Sequence, residues 1–284
     1  SESLKILKKW GLITLIVDNF SSNRNLLNNL KNIIDKIILF DRNEGLAKAY
    51  NTCCTEARSY NSEWVLFLDQ DSLPLIHFNI WQVLHMLKER SNLYKRIGIV
   101  SINGITATKA GKLDDNFFLA KYVVGSGMLV NIDVCRKFKF LEELFLYGID
   151  IEYSTRLRRA GYLVLAYKEQ GIKYKIGEKI EKYKKYVPKI ITVILSKIVH
   201  KDLSFYPYYS DPMRYYIMLR NNIYLIVRRR IELSYSKYLP FLLLIMYERL
   251  GLKDTVKLTL RALKYGILGR LEEDNKKVFG GTGA

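Results

Sequence analysis

A chain of 284 residues with 49% hydrophobic content is long enough to bury a large core. A formal net charge of +18 asks for an anionic partner, and three cysteines, two of them adjacent, exclude a disulfide framework. With Cys53 and Cys54 read as small apolar residues of a helix, and with no zinc-ligand spacing, the chain suits a reducing compartment.

The first 70 residues alternate cleanly. Residues 12–17 form a continuous apolar, β-branched run, as expected of a strand covered on both faces. Asp18 and Asn19 open a polar turn, and the serines behind them can cap a helix over 23–34. Residues 36–40 predict a second strand, Asn43-Glu44-Gly45 a turn into a helix reaching about Tyr60, and 63–68 a third strand that ends at Asp69. Strands and helices in this order predict an α/β fold, a mostly parallel Rossmann-like sheet flanked by helices. In such sheets ligands bind beyond the carboxyl ends of the strands, where Asp18 and Asp69 both fall.

Further on, strands are expected at 122–124 and 128–131, on either side of Gly125-Ser126-Gly127. Residues 148–160 read as a helix, with Glu152 and Arg156 paired on its surface at i, i+4, and 162–166 as extended chain. Near residue 173 the character changes, and residues 173–201 hold nine lysines against two glutamates. The division expected is therefore a catalytic core over 1–172 and a basic, mainly helical region over 173–284. The apolar runs at 190–195 and 239–247 are too short to span a bilayer, which takes about 20 residues. No signal peptide is visible, and the chain opens on Ser1, so its natural start is expected to lie further upstream.

Asp69-Gln70-Asp71 follows a buried strand, and in extended chain residues i and i+2 project to one side. Two carboxylates so placed suit Mg²⁺ or Mn²⁺ with coordination sites left for phosphate oxygens. A polar turn after a strand explains the same three residues, so the motif alone is weak. Its neighbours add weight. Val17-Asp18-Asn19, the run from Asn43 to Asn51, Asp69-Gln70-Asp71-Ser72, Gly125-Ser126-Gly127, the run from Leu144 to Tyr153, and Asp211-Pro212-Met213-Arg214 with Arg220-Asn221 together resemble the family 2 glycosyltransferases, in particular their rhamnosyltransferase-like branch. The resemblance covers residues 11–222, with the motifs in the family's order.

This resemblance implies a GT-A-type fold with a helical C-terminal extension and an inverting, metal-dependent hexosyltransferase. The donor implied is a dTDP- or UDP-sugar, rhamnose among the options, and the acceptor a saccharide or lipid-linked saccharide of cell-surface polysaccharide synthesis. Asp18 would contact the nucleotide base, Asp69 the ribose or the metal, Asp71 the metal, and Asp150 would be the general base. Asp150 also fits a plain role as a carboxylate at a helix N-terminus. Arg214 and Arg220 would either reach the diphosphate or anchor their helix.

The departures from the family are a missing first strand ahead of Val17-Asp18-Asn19, Tyr147 where the branch carries an Asp, and Tyr174 where it carries a His. These keep open an inactive relative that acts as a binding or scaffold protein. The basic segment 173–201, Arg228-Arg229-Arg230 and the 239–247 run suggest an anionic membrane surface as partner and a cytoplasmic, peripheral location at the inner face of the membrane. A solvated basic face over a core helix, the commoner outcome of such runs, stands beside it. No RNA-binding signature, helix-turn-helix or zinc finger accompanies the charge, so no nucleic-acid partner is expected.

Overall fold

In the computed structural model the described residues are 2–24, 27, 29–30, 32–173, 178–179, 207–208 and 211–280. Two compact units divide them, one within 1–145 and 149–174, the other within 146–148 and 175–282.

The first unit opens with helix α1 (Glu2–Lys9), whose buried Leu4 and Ile6 face the core, as does Trp10 just beyond it. Strand β1 (Leu15–Asp18) pairs in parallel with β2 (Lys36–Leu39). The link between them is fastened at its base, where Thr14 N–H and Oγ1 donate to Asp35 at 2.7 and 2.9 Å and Lys8 reaches the same carboxylate at 2.8 Å. Between the two strands the described residues make hydrogen-bonded turns, such as Leu27 N–H to Arg24 O. Residues 25, 26, 28 and 31 of the expected 23–34 helix lie outside the described residues.

Helix α2 (Leu46–Ala57) leads to β3 (Trp64–Phe67) and the short β4 (Leu73–Pro74). Helix α3 (Ile80–Glu89) is capped by the Asn79 side chain, which accepts from Gln82 N–H at 3.1 Å. A single turn, α4 (Ser91–Tyr94), precedes β5 (Ile97–Ser101), and β6 (Thr108–Lys112), β7 (Phe117–Tyr122) and β8 (Met128–Asn131) follow. Helices α5 (Ile132–Lys137) and α6 (Ile149–Arg159) then bracket the aromatic segment around Phe140, and β9 (Leu163–Tyr167) and β10 (Ile172–Lys173) close the unit. The expected strand at 122–124 is in fact β7, which ends at Tyr122. Val123 and Val124 already belong to the turn into β8.

The main sheet has the order β3-β8-β5-β9-β7-β6. Its β3, β5, β6 and β9 run one way, while β8 and β7 run against them. Four of its six strands share one direction, giving the expected mostly parallel sheet flanked by helices with two strands inserted against it, but β1 and β2, expected in the same sheet as β3, pair apart from it as a two-stranded parallel sheet. Strand β5 is buried at every position, and its Ile97 and Val100 pack with Leu129 and Leu165 against Val83 and Leu87 of α3. Side chains alternate across the sheet. Leu66 packs on that apolar cluster, whereas its neighbour Phe67 meets Tyr50 of α2 (ring centroids 4.4 Å apart) on the opposite face.

In the second unit β11 (Glu178–Lys179) pairs with β12 (Pro207–Tyr208). Helices α7 (Met213–Val227), α8 (Leu239–Leu268) and α9 (Leu271–Phe279) follow, and α8 bends at Gly251, whose φ is +76°. Tyr215, Leu219, Phe241, Ile245 and Met246 form the core of this unit. The 239–247 run, expected as a membrane contact or a core helix, is the latter: it supplies Phe241, Leu242, Ile245 and Met246 to the interior. Among the described residues no helix is long and apolar enough to cross a membrane.

Candidate active site

Three turns at strand ends assemble the site. The first follows β1. Asp18 is buried, receives Arg24 Nε–H at 3.0 Å and Ser21 N–H at 3.3 Å, and is bonded through Arg24 to the carbonyl of Phe40. Asn19 ties this turn to the start of α2, donating to Asn43 Oδ1 at 2.7 Å and accepting from Glu44 N–H at 2.8 Å. Gly45 then takes φ +87° and ψ 160°, a conformation open only to glycine, and a Cβ there would stand 2.9 Å from the carbonyl oxygen of Phe145. The Val-Asp-Asn and Asn-Glu-Gly motifs, 24 residues apart at Asn19 and Asn43, are thus one hydrogen-bonded unit.

The second turn is Asp69-Gln70-Asp71-Ser72, just past β3. Ser72 N–H closes it onto Asp69 O at 3.0 Å. Asp69 is half-buried and Asp71 exposed. The third turn, Gly125-Ser126-Gly127, joins β7 to β8 and reaches both sides. Ser126, fully buried, accepts from Asp69 N–H at 3.2 Å and shares a hydrogen bond with the buried Ser72 hydroxyl. Gly125 N–H donates to Asp150 Oδ2 at 3.0 Å, while Ile151 N–H donates to Asp150 Oδ1 at 2.9 Å. Gly125 has no room for a side chain, since a Cβ would come within 2.5 Å of the Tyr50 hydroxyl.

Asp150 therefore sits at the first turn of α6 with its carboxylate enclosed, although the residue as a whole keeps some exposed surface. Burial pushes its pKa up to about 6; the backbone donors counter this, and the negative charge of Asp69 adds to the rise. That interaction places two carboxylates in one electrostatic neighbourhood. The turn that organises them was visible in the sequence as Gly-Ser-Gly, but nothing there showed Ser126 holding Asp69 or Gly125 holding Asp150.

Among the described residues no three His, Cys, Asp or Glu side chains converge on one point. Asp69 and Asp71 remain a donor pair of the kind a hard cation takes when substrate phosphates complete its shell, since Mg²⁺ is commonly held by one or two carboxylates plus phosphate oxygens.

Glu152 and Arg156 do pair, at 2.8 and 2.9 Å, but not on a surface: Glu152 is 1% exposed, and Arg156 also bonds the Lys139 carbonyl at 2.7 Å. Arg214 and Arg220 lie on α7 in the second unit. Arg214 is exposed. Arg220, expected either at the diphosphate or as a helix anchor, is the anchor: it is fully buried, bonded to Asp274 at 2.6 Å and to Asn221 at 2.9 Å. Asn221 in turn donates to the carbonyls of Leu146 and Tyr147 at 2.6 and 3.0 Å. Tyr174 and most of the basic segment 173–201 lie outside the described residues.

Residues 12–136 match the model of the Glycosyl transferase family 2. The stretch matched by this family model holds Asp18, Asp69 and Asp71 and the three-turn assembly up to Ser126, and it stops short of Asp150. No curated protein matches the sequence. Among solved structures, the chain is similar to GalNAc-T7 with UDP, GalNAc and Mn²⁺, at 15% identity over 56% of this chain, with a TM-score of 0.44. It spans only 37% of that chain. It is also similar to S. aureus TarS 1-349 in complex with UDP-GlcNAc, at 12% identity over 96% of this chain and 87% of that one, with a TM-score of 0.49. A third likeness is to A197 from STIV, at 16% identity over 57% and 84% of the two chains, with a TM-score of 0.37.

Proposed function

We propose that the chain is a glycosyltransferase that moves a sugar from a dTDP- or UDP-sugar to a saccharide or lipid-linked acceptor, inverting the anomeric centre. The observation that carries this reading is the enclosed Asp150 carboxylate, held by Gly125 N–H and electrostatically coupled to Asp69. A carboxylate with a pKa near 6 is ionised at neutral pH yet basic enough to take a proton. In the reaction proposed, Asp150 accepts the acceptor hydroxyl's proton as that oxygen bonds the anomeric carbon. The bond from that carbon to the diphosphate oxygen breaks on the opposite side, and its electron pair leaves with the nucleoside diphosphate.

Asp69 and Asp71 would hold Mg²⁺ or Mn²⁺. When bound, the cation supplies positive charge to the departing diphosphate. Asp18 would take the nucleotide base with the lone-pair capacity that Arg24 and Ser21 leave it. Rhamnose as the sugar, polysaccharide assembly as the setting and a peripheral position on the cytoplasmic face of a membrane complete the reading.

The test is a calorimetric titration with dTDP- and UDP-sugars, with and without Mn²⁺, followed by a transfer assay. The expected result is metal-dependent binding of one donor that Asp71→Asn abolishes. Asp150→Asn should keep that binding and lose transfer. Full transfer by the Asp150 variant would remove it as the base, and absence of donor binding by the unmodified chain would favour a silent relative.

A further inference from the structure

Helix α8 changes character at its bend. Before Gly251 its large apolar side chains are buried or half-buried, whereas beyond it Leu252, Val256, Leu260, Leu263 and Ile267 are between 39% and 67% exposed. Their spacing of four, four, three and four residues sets them in a single stripe along the helix. The opposite side, with Thr255, Ala262, Tyr265 and Gly266, is buried in the second unit. Isolated exposed apolar residues need no explanation, but five in register on one helix do.

The charges along the border of the stripe bear on what would cover it. Lys253, Lys257 and Lys264, all exposed, follow one edge of the stripe, while Arg270, just beyond the helix end, is paired with Glu273 at 3.9 Å. The one acid in residues 252–268, Asp254, falls outside both stripe and lysine row. Two copies pairing antiparallel through this face would bring their lysine rows side by side, and any self-pairing joins two chains that each carry a net charge of +18. An anionic bilayer reverses that sign. Apolar side chains enter the boundary between headgroups and acyl chains, and lysines lie along the headgroups with their stems on the apolar surface.

We propose that residues 252–268 of α8 form a membrane-docking face that binds anionic lipid. This deepens the membrane part of the function proposed above and locates it on a surface that the 239–247 run does not supply. It does not depend on the catalytic assignment.

The test is co-sedimentation of the full chain with vesicles of phosphatidylcholine alone or mixed with phosphatidylglycerol, without any nucleotide sugar. Binding is expected to the mixed vesicles and to weaken with salt. Leu260→Glu with Ile267→Glu should lower the partition coefficient about tenfold or more, since both lose apolar contact and gain repulsion. Lys253→Glu with Lys257→Glu should weaken binding to the mixed vesicles alone. Thermal unfolding checks each variant, and the milder Leu260→Gln replaces the double change if that fails to fold.

Undiminished binding of the apolar variants would overturn the proposal. So would a lipid-free dimer of the unmodified chain that Leu260→Glu dissociates, which would assign the stripe to a second copy. Either failure leaves donor binding at Asp69 and Asp71 as it was, because the vesicle assay never engages that site.

Discussion

Gly125→Ala tests how the three turns are held together. The new Cβ would lie 2.5 Å from the Tyr50 hydroxyl but 3.5 Å from the Tyr50 Cζ, which is ordinary contact. The clash is therefore with one oxygen. Tyr50 cannot easily yield, because its ring is packed against Phe67 at 4.4 Å and Phe140 at 5.1 Å, and Phe140 is stacked on Tyr153 at 3.9 Å. Forcing an extra carbon into such a core costs about 1–3 kcal/mol. In a Tyr50→Phe background the offending atom is gone, and most of that cost should vanish, giving a favourable coupling of about 1–2 kcal/mol in a double-mutant cycle. All three tryptophans, Trp10, Trp64 and Trp81, belong to the first unit. Denaturant unfolding followed by their fluorescence thus reports on the right part of the chain. Transfer should fall in the Gly125→Ala chain as well, since the displaced peptide carries the N–H that holds Asp150. Equal costs of Gly125→Ala in the two backgrounds would refute the packing reasoning.

Asp274 joins three helices, accepting from Tyr216 and Arg220 on α7 at 2.6 Å each and from Arg261 on α8 at 2.8 Å. Asp274→Ala should destabilise the chain by about 3–5 kcal/mol, because it strands the guanidinium of a fully buried Arg220, and a thermal melt reads it. Arg261→Gln, at a side chain with about a third of its surface exposed, should cost much less in the same melt. For Asp150 the sign follows from the base role. The ionised form is active, so the rate at limiting acceptor should rise with pH and level off above about 6. A cation on Asp69 would offset that residue's share of the rise and move the midpoint down, leaving burial, the larger cause, to hold it up. A pH–rate profile with its rise at the ordinary carboxylate value would refute the enclosure.

Much of this assembly is legible in the residues because strand ends announce themselves. Val17-Asp18-Asn19 and Leu68-Asp69 mark the switch from apolar run to polar turn, and the α2 start is given away by Gly45. Burial of charge is what pattern reading misses. Glu152 and Arg156 have the spacing of a surface pair, and only the packed chain shows that Glu152 lies inside with its charge met by Arg156. Arg220 looked equally suited to phosphate because its partner Asp274 is 54 residues away in sequence. The 239–247 run is apolar almost throughout, whereas 252–268 mixes nine apolar residues with five charged ones. Which apolar residues of the second stretch face the core, and which stay outside, depends on the orientation it takes after the bend at Gly251, and that is a tertiary fact.

Strand β8 lies between β3 and β5, and its Met128 is paired with Phe67 on one side and Ser101 on the other. Two neighbours fix its register, so it cannot slide to absorb a change of length. The segment from Tyr122 to Met128 is therefore a ruler. An insertion in the turn between β6 and β7 would be spent in solvent at the sheet's edge. A single residue added between 122 and 128 has nowhere to go but the turn itself, where it would pull Ser126 from Asp69 and Gly125 from Asp150 together. Chains built on this plan should tolerate length variation between β6 and β7 but not between residues 122 and 128.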